Sequence, residues 1–375
     1  MSYADRRKLY TKLEKLRERP VIVYVTSARI GASGEMAGDV IPELLDQLTE
    51  IPGETKRVDL LLVSTGGDAT VAWRAMSLLR ERFEHVSVLL PQAAYSAATL
   101  LALGADEIIM HPHANLGPVD PQITVQKQGQ AAEVHRLRFG YQDLAGFLEF
   151  AKKEVGITDQ KHLTALFQQV CNEVGTIPTG VAARSSLLSA SMGRQLLRLH
   201  MKDSADDQKV EAIVDALNTK YFHHGYPVSR TEARQIDLKI ADPNEEVEKA
   251  IWKIWLEIEA DLEMRQPFNP AGLIAADPNT ADVIRPAPLV NVPANTPAQI
   301  ANQIFAQMAT QVTLTHPPAL DYETINAVLE SPRRASRYVS SGKILASRMP
   351  DGQVRINLVQ TGGGWKNLVE GAGAA

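Results

Sequence analysis

The chain has 375 residues, of which 45% are hydrophobic and 22% charged, with a formal net charge of −5. Such values exclude a disordered or fibrous chain and leave room for one large α/β domain with an appendage, or for two domains. The negative balance and the 6% aromatic content give neither a general basic field nor a stacking surface, so no nucleic-acid partner is expected. Cys171 is the only cysteine, which rules out an intrachain disulfide and fits a reducing compartment. The opening segment, MSYADRRKLYTKLEKLRERP, has no apolar core of the kind a cleaved export signal needs, and a cytoplasmic location is expected.

In chain order, Leu9, Leu13 and Leu16 stand at helical spacing among charged residues, so residues 4–18 are predicted to form an amphipathic packing helix ended by Pro20. VIVYVTS (21–27) reads as a buried strand followed by a glycine-rich turn at Gly31 and Gly34, a helix over 38–48 and a second strand, VDLLLVST (58–65). The order then repeats: a helix over 70–83, a strand at 86–90, a helix at 96–103 and a strand at 106–110. Residues 86–105 approach the length of a membrane span, but Pro91 and Gln92 divide them, and a strand followed by a helix is expected with no stable membrane insertion. Alternating β and α segments joined by short links predict a mainly parallel sheet covered by helices. From Asp143 to about Leu217 the pattern is helical, with breaks at Gly156, at 175–180 and around Asp203; Asp242-Pro243-Asn244 then caps a helix over 245–263. Beyond Arg265 the proline-rich runs PFNPAG, RPAPLVNVPANTP and THPPAL predict a linker or wrapping segment. KILASRMPDGQVRINLV predicts a β-hairpin turning at Asp351-Gly352. The expected division is a helical arm (1–20), an α/β domain (21–264), a Pro-rich segment (265–336) and a small β module (337–375).

Two strand-to-helix junctions carry the chemistry. At the first, Gly66-Gly67-Asp68 precedes the helix of Ala72, Trp73 and Met76; paired glycines beside a helix N-terminus can turn backbone N–H groups toward a developing oxyanion, or serve only as a tight turn. At the second, Tyr95-Ser96 stands among Ala94, Ala97 and Ala98, where Ser96 suits a nucleophile with space around it and equally suits a helix N-cap. Both junctions open at the carboxyl ends of parallel strands, where α/β sheets form ligand crevices, so one pocket can hold both.

LLLVSTGGDATVAWRAMSLLRE together with VLLPQAAYSAATLLALGADEIIMHPHANLGPVDPQI resembles the serine dehydrogenase proteinase family, SppA-like peptidases of the ClpP/crotonase fold. The likeness extends through YQDLAGFLEFAKKEVGI and KYFHHGYPVSRTEARQIDLKIADP and covers about residues 20–262. It implies peptide-bond hydrolysis through an acyl-enzyme on Ser96, with the backbone of Gly66 and Gly67 as oxyanion hole, a peptide or protein substrate and no cofactor. Homo-oligomerisation is expected by analogy of fold. The base is the departure from the pattern. ClpP-like enzymes carry a His roughly 25 residues after the serine, where this chain has GPVDPQ with Asp120; SppA-like enzymes use a Lys about forty to fifty residues onward, where it has Arg136 and Arg138, and arginine stays protonated. Candidate bases are therefore His224, in FHHGYP, and Lys127, with Lys152, Lys153 and Lys202 as weaker ones. His111 and His113 with Asp120 match no strong zinc spacing, and no metal is expected. Two further readings stand beside the peptidase: a family member that has lost its base and serves as an assembly scaffold, and a crotonase-like enzyme whose two backbone donors hold the enolate of an acyl-CoA.

Overall fold

The computed structural model describes residues 2–128, 134–221, 223–242, 244–285, 293, 295–311, 317–349 and 353–368. It opens with α1 (Tyr3–Arg17), β1 (Val21–Thr26), α2 (Val40–Thr49), β2 (Arg57–Val63), α3 (Ala69–Arg82), β3 (His85–Leu90), β4 (Ala93–Ala94), α4 (Ala97–Leu103), β5 (Glu107–Met110) and β6 (Asn115–Leu116). A hairpin of β7 (Gln122–Gln128) and β8 (Val134–Gly140) leads to α5 (Tyr141–Lys153), α6 (Gln160–Val174), α7 (Thr176–Arg198) and α8 (Asp207–Asp215). Then come β9 (Val228–Ser229), α9 (Arg230–Gln235), β10 (Ile240–Ala241), α10 (Glu245–Asp261), α11 (Pro270–Ala276), α12 (Ala298–Gln311), β11 (Leu320–Glu330), β12 (Ala335–Arg348) and β13 (Val354–Asn367).

The main sheet runs β10-β5-β3-β2-β1-β11-β12-β13. Its first five strands are mutually parallel, with Val23, Leu61, Leu89 and Ile109 in successive register; Val23 pairs with Leu61, and the β3–β5 pair sets Leu89 against Ile109. These strands read as unbroken apolar runs because both faces are covered. Val23, Val25, Leu61, Leu89 and Ile109 pack under Ile251, Ile254, Trp255 and Ile258 of α10 and Tyr10 and Leu13 of α1. Ile22, Leu60, Leu62, Val88, Leu90 and Ile108 face Met76 and Leu79 of α3 and the alanine- and leucine-rich α4. The fold is thus α/β, a mainly parallel sheet with flanking helices.

Some boundaries differ from the sequence expectation. β2 stops at Val63, because Ser64 leaves it to bridge Ala94. Gly180 does not break α7, whose 23 residues run through it, since a single glycine costs a helix only about 1 kcal/mol and its neighbours propagate across it. β11, lying within the stretch expected as Pro-rich linker, pairs antiparallel with β1 and carries the β12–β13 hairpin onto the same sheet. The turn expected at Asp351-Gly352 lies outside the described residues. Residues 86–105 form β3, β4 and α4, and among the described residues no helix is long and apolar enough to cross a membrane.

The N-terminal helix is locked to the far end of the chain. Arg6 donates to both oxygens of Glu330 at 2.9 and 2.6 Å, both side chains being 0% exposed, and Tyr10 donates to the same carboxylate at 2.6 Å. At the starts of β2 and β5, Arg17 bonds buried Asp59 (2.7 Å) and Glu107 (2.7 Å). Both networks sit away from the carboxyl ends of the parallel strands and leave that end free for a site.

Candidate active site

A cleft of about 640 Å³ opens where the strand-to-helix junctions meet. Gly66, Gly67, Asp68, Tyr95, Ser96 and His224 all line it, so the two junctions and one of the two candidate bases come together. The junction after β2 is built by close approach. Gly66 has φ +106° and Gly67 φ +145°, and a Cβ on Gly66 would lie 2.8 Å from the Cβ of Ser96. A Cβ on Gly67 would lie 2.3 Å from the carbonyl oxygen of Met36, which bridges it in parallel fashion. Only glycine allows both the conformation and the contact. Asp68 caps α3, its Oδ1 accepting from the Thr70 N–H at 2.8 Å and the Thr70 hydroxyl at 2.7 Å.

Ser96 precedes α4 with φ 53° and ψ −117°, a conformation that L-residues other than glycine rarely hold. It occupies the N-cap position, yet its hydroxyl makes no cap bond. The preceding turn is pinned by the Ser64 N–H donating to the Ala93 carbonyl and the Tyr95 N–H donating to the Ser64 carbonyl, both at 3.0 Å. Tyr95 packs closely against Gly117, where a Cβ would fall 1.8 Å from a carbon of its ring; burial raises its hydroxyl pKa, so it is a donor at neutral pH.

The backbone donors divide unequally. The Gly66 N–H donates to the hydroxyl of Ser64 at 3.1 Å. Neither the Gly67 nor the Ala97 N–H has an acceptor among the described residues, Ala97 being the first residue of α4. Helix N-termini leave such groups unpaired and carry partial positive charge.

Also at the cleft, His224 Nδ1 lies 2.8 Å from Asp120 Oδ1, and the Gln122 amide donates to Asp120 Oδ2 at 3.0 Å. The carboxylate accepts from Nδ1–H, which leaves Nε2 as the imidazole's basic nitrogen. Asp120 occupies the stretch where a histidine was sought, and the histidine arrives 104 residues later in the chain on the loop before β9; no spacing rule within one βα unit could have found it. Lys127 lies on β7 opposite His135, and its side chain is outside those described. Arg138 lines the cleft from β8, Lys153 pairs with Glu149, and Lys202 is exposed. His111 stacks on Trp252 at 4.7 Å between ring centroids and His113 meets the same ring edge-on at 5.3 Å, while Asp120 is engaged with His224. The cleft also takes Glu35, Gln122, Ser185 and Leu188, which the sequence did not single out; the β7–β8 hairpin that brings Gln122 is visible only as the weak alternation ITVQ and HRLRF.

Among known proteins, the chain is 24% identical to the uncharacterized protein MJ1495 of Methanocaldococcus jannaschii over 188 residues, which is 50% of this chain and 53% of that one. It is 38% identical to the uncharacterized protein MJ0137 of the same organism over 81 residues, 22% of this chain and 28% of that one. The chain thus spans about half the length of the first relative and less of the second. Among solved structures, an alanine variant of the 1510-N membrane-bound stomatin-specific protease aligns at 15% identity over 62% of this chain and 84% of that one, with a TM-score of 0.33. Another variant, in complex with a substrate peptide, aligns at 14% identity over 61% and 78%, with a TM-score of 0.34. The model of the ClpP-like SDH-type serine proteinases matches residues 39–137, the segment that holds Gly66, Gly67, Ser96 and Asp120, and over that segment the chain is similar to that family.

Proposed function

We propose that the protein is a serine peptidase in which Ser96 is the nucleophile, His224 the general base and Asp120 the group that orients it. The observation that carries the reading is the cleft itself, lined by an uncapped serine in a strained turn and by a histidine whose Nδ1 is taken by a carboxylate. A peptide carbonyl is attacked by Ser96 Oγ while His224 Nε2 takes the hydroxyl proton. The tetrahedral oxyanion accepts from the N–H groups of Gly67 and Ala97; Gly66, whose N–H is spent on Ser64, contributes the close approach rather than a donor. Collapse breaks the C–N bond as His224 returns the proton to the leaving amine, and water, deprotonated by the same imidazole, hydrolyses the acyl-enzyme. Peptide or protein segments as substrates, a homo-oligomeric assembly and a cytoplasmic location belong to the same proposal.

Labelling by a fluorophosphonate and turnover of fluorescent casein test it. Ser96→Ala is expected to abolish both, and His224→Ala to lower turnover by about 10³-fold or more; unchanged labelling in Ser96→Ala would overturn the assignment. One observation favours the scaffold reading: the Ser96 hydroxyl has no hydrogen-bond partner among the described residues. Catalytic hydrogen bonds often tighten only when substrate binds. Measurable turnover by the purified chain eliminates the scaffold.

A further inference from the structure

Behind the cleft, at the ends of β1 and β2, two buried hydroxyls meet. The Thr26 hydroxyl donates to Ser64 Oγ at 2.8 Å, and Ser64 Oγ also accepts from the Gly66 N–H at 3.1 Å. Ser64 is 2% exposed and Thr26 1%. The backbone of the same serine holds the other half of the constellation, through the Ala93 carbonyl and the Tyr95 N–H immediately before Ser96. A buried hydroxyl is costly without partners, and here one partner is the loop that contains the free Gly67 N–H.

We propose that Ser64 is a positioning residue that sets the oxyanion donors against the nucleophile; the proposal rests on the Ser96 reading above. Gly66, with φ +106° and no side chain, is held on both sides: its N–H donates to Ser64 Oγ, and its carbonyl, in the same peptide as the Gly67 N–H, accepts from the Met36 N–H at 2.7 Å. The bond to Ser64 fixes the peptide before Gly66 and the bond from Met36 the peptide after it, and together they set how the Gly67 N–H is presented. Without the Ser64 acceptor the turn is held on the Met36 side alone, and the Gly67 donor shifts relative to Ser96. Thr26 acts one step further back, since its donated bond fixes the direction in which Ser64 Oγ offers its lone pair.

The test is the rate of fluorophosphonate labelling, resolved into a maximal rate and a half-saturating concentration, for the full chain and for Ser64→Ala, Ser64→Thr and Thr26→Val. Phosphonylation of the serine develops negative charge on the phosphoryl oxygen and so reports the donors without a known substrate. Ser64→Ala is expected to lower the maximal rate by about 10- to 100-fold, with the half-saturating concentration within about 3-fold of wild type. Ser64→Thr, which keeps the hydroxyl, is expected to restore it to within about 5-fold, and Thr26→Val to lower it by about 3- to 10-fold. A wild-type maximal rate in Ser64→Ala overturns the positioning role, while loss of labelling in Ser96→Ala shows that the nucleophile assignment stands independently. Full labelling in Ser96→Ala removes both. Should Ser64→Ala fail to fold, Thr26→Val decides: an unchanged maximal rate there overturns the proposal, and a reduced one at unchanged half-saturation supports it.

Discussion

Ser96 keeps φ 53° and ψ −117° although a serine in ordinary geometry would pay nothing; holding a non-glycine residue there costs about 1–3 kcal/mol. Glycine adopts such a conformation freely. Ser96→Gly is therefore expected to be more stable than Ser96→Ala by about 1 kcal/mol in urea denaturation, with both variants unlabelled by fluorophosphonate; equal stabilities would show that the turn is unstrained. At Gly66 the argument reverses: the added methyl of Gly66→Ala would sit 2.8 Å from the Ser96 Cβ, so labelling is expected to fall by about 100-fold or more. Asp120→Asn retains size but can present its amide to His224 Nδ1, favouring the wrong tautomer, and turnover is expected to fall by about 10³- to 10⁴-fold. Near-normal turnover would detach Asp120 from the mechanism.

Among elements, α1 is the clearest example of an apparently peripheral helix that is integral. Its Arg6 enters a fully buried pair with Glu330 of β11 and also reaches Asp261 of α10 at 2.9 Å. Removing one member leaves an uncompensated buried charge, so Arg6→Met is expected to destabilise the fold by about 3–5 kcal/mol, measured by chemical denaturation. A loss below about 1 kcal/mol would mean that Glu330 finds water or another cation. A second element-scale effect concerns His200, after α7. Its Nε2–H donates to the Leu103 carbonyl at 3.0 Å, and burial, opposed in part by that bond, pushes its pKa down to about 4. The native protein thus declines a proton that the unfolded chain accepts near pH 6.5. Between these values the unfolded state binds more protons, so stability rises with pH and is lost as pH falls from about 6.5 to 4. His85 and His111, both lowered chiefly by burial, act in the same direction. The His200 contribution is on the order of 2 kcal/mol, and His200→Gln is expected to flatten the stability profile between pH 7 and 4.5.

For the whole molecule, the strand order makes β11 the partner of β1, with Val328 and Leu329 buried on opposite faces of the sheet in its two cores. Deleting 320–375 would bare the hydrogen-bonding edge of a buried apolar strand. The truncated chain is expected to be insoluble or to lose cooperative thermal unfolding; a soluble chain with a sharp transition would show that the C-terminal strands are an accessory.

The parallel sheet was legible from sequence because its strands are short apolar runs punctuated by glycine junctions, and local pattern suffices to mark them. That Ser96 and Gly66-Gly67 stand at neighbouring strand-to-helix junctions was legible for the same reason, since both sit at turns where residue size itself is the signal. What only the tertiary structure decided involves partners distant in the chain. These are the meeting of His224 with Asp120, the Thr26–Ser64 pair, and the return of β11 to β1. Periodicity and spacing report what a residue does to its own segment; they carry no information about which segment the folded sheet lays beside it, because that is set by the packing of both faces at once.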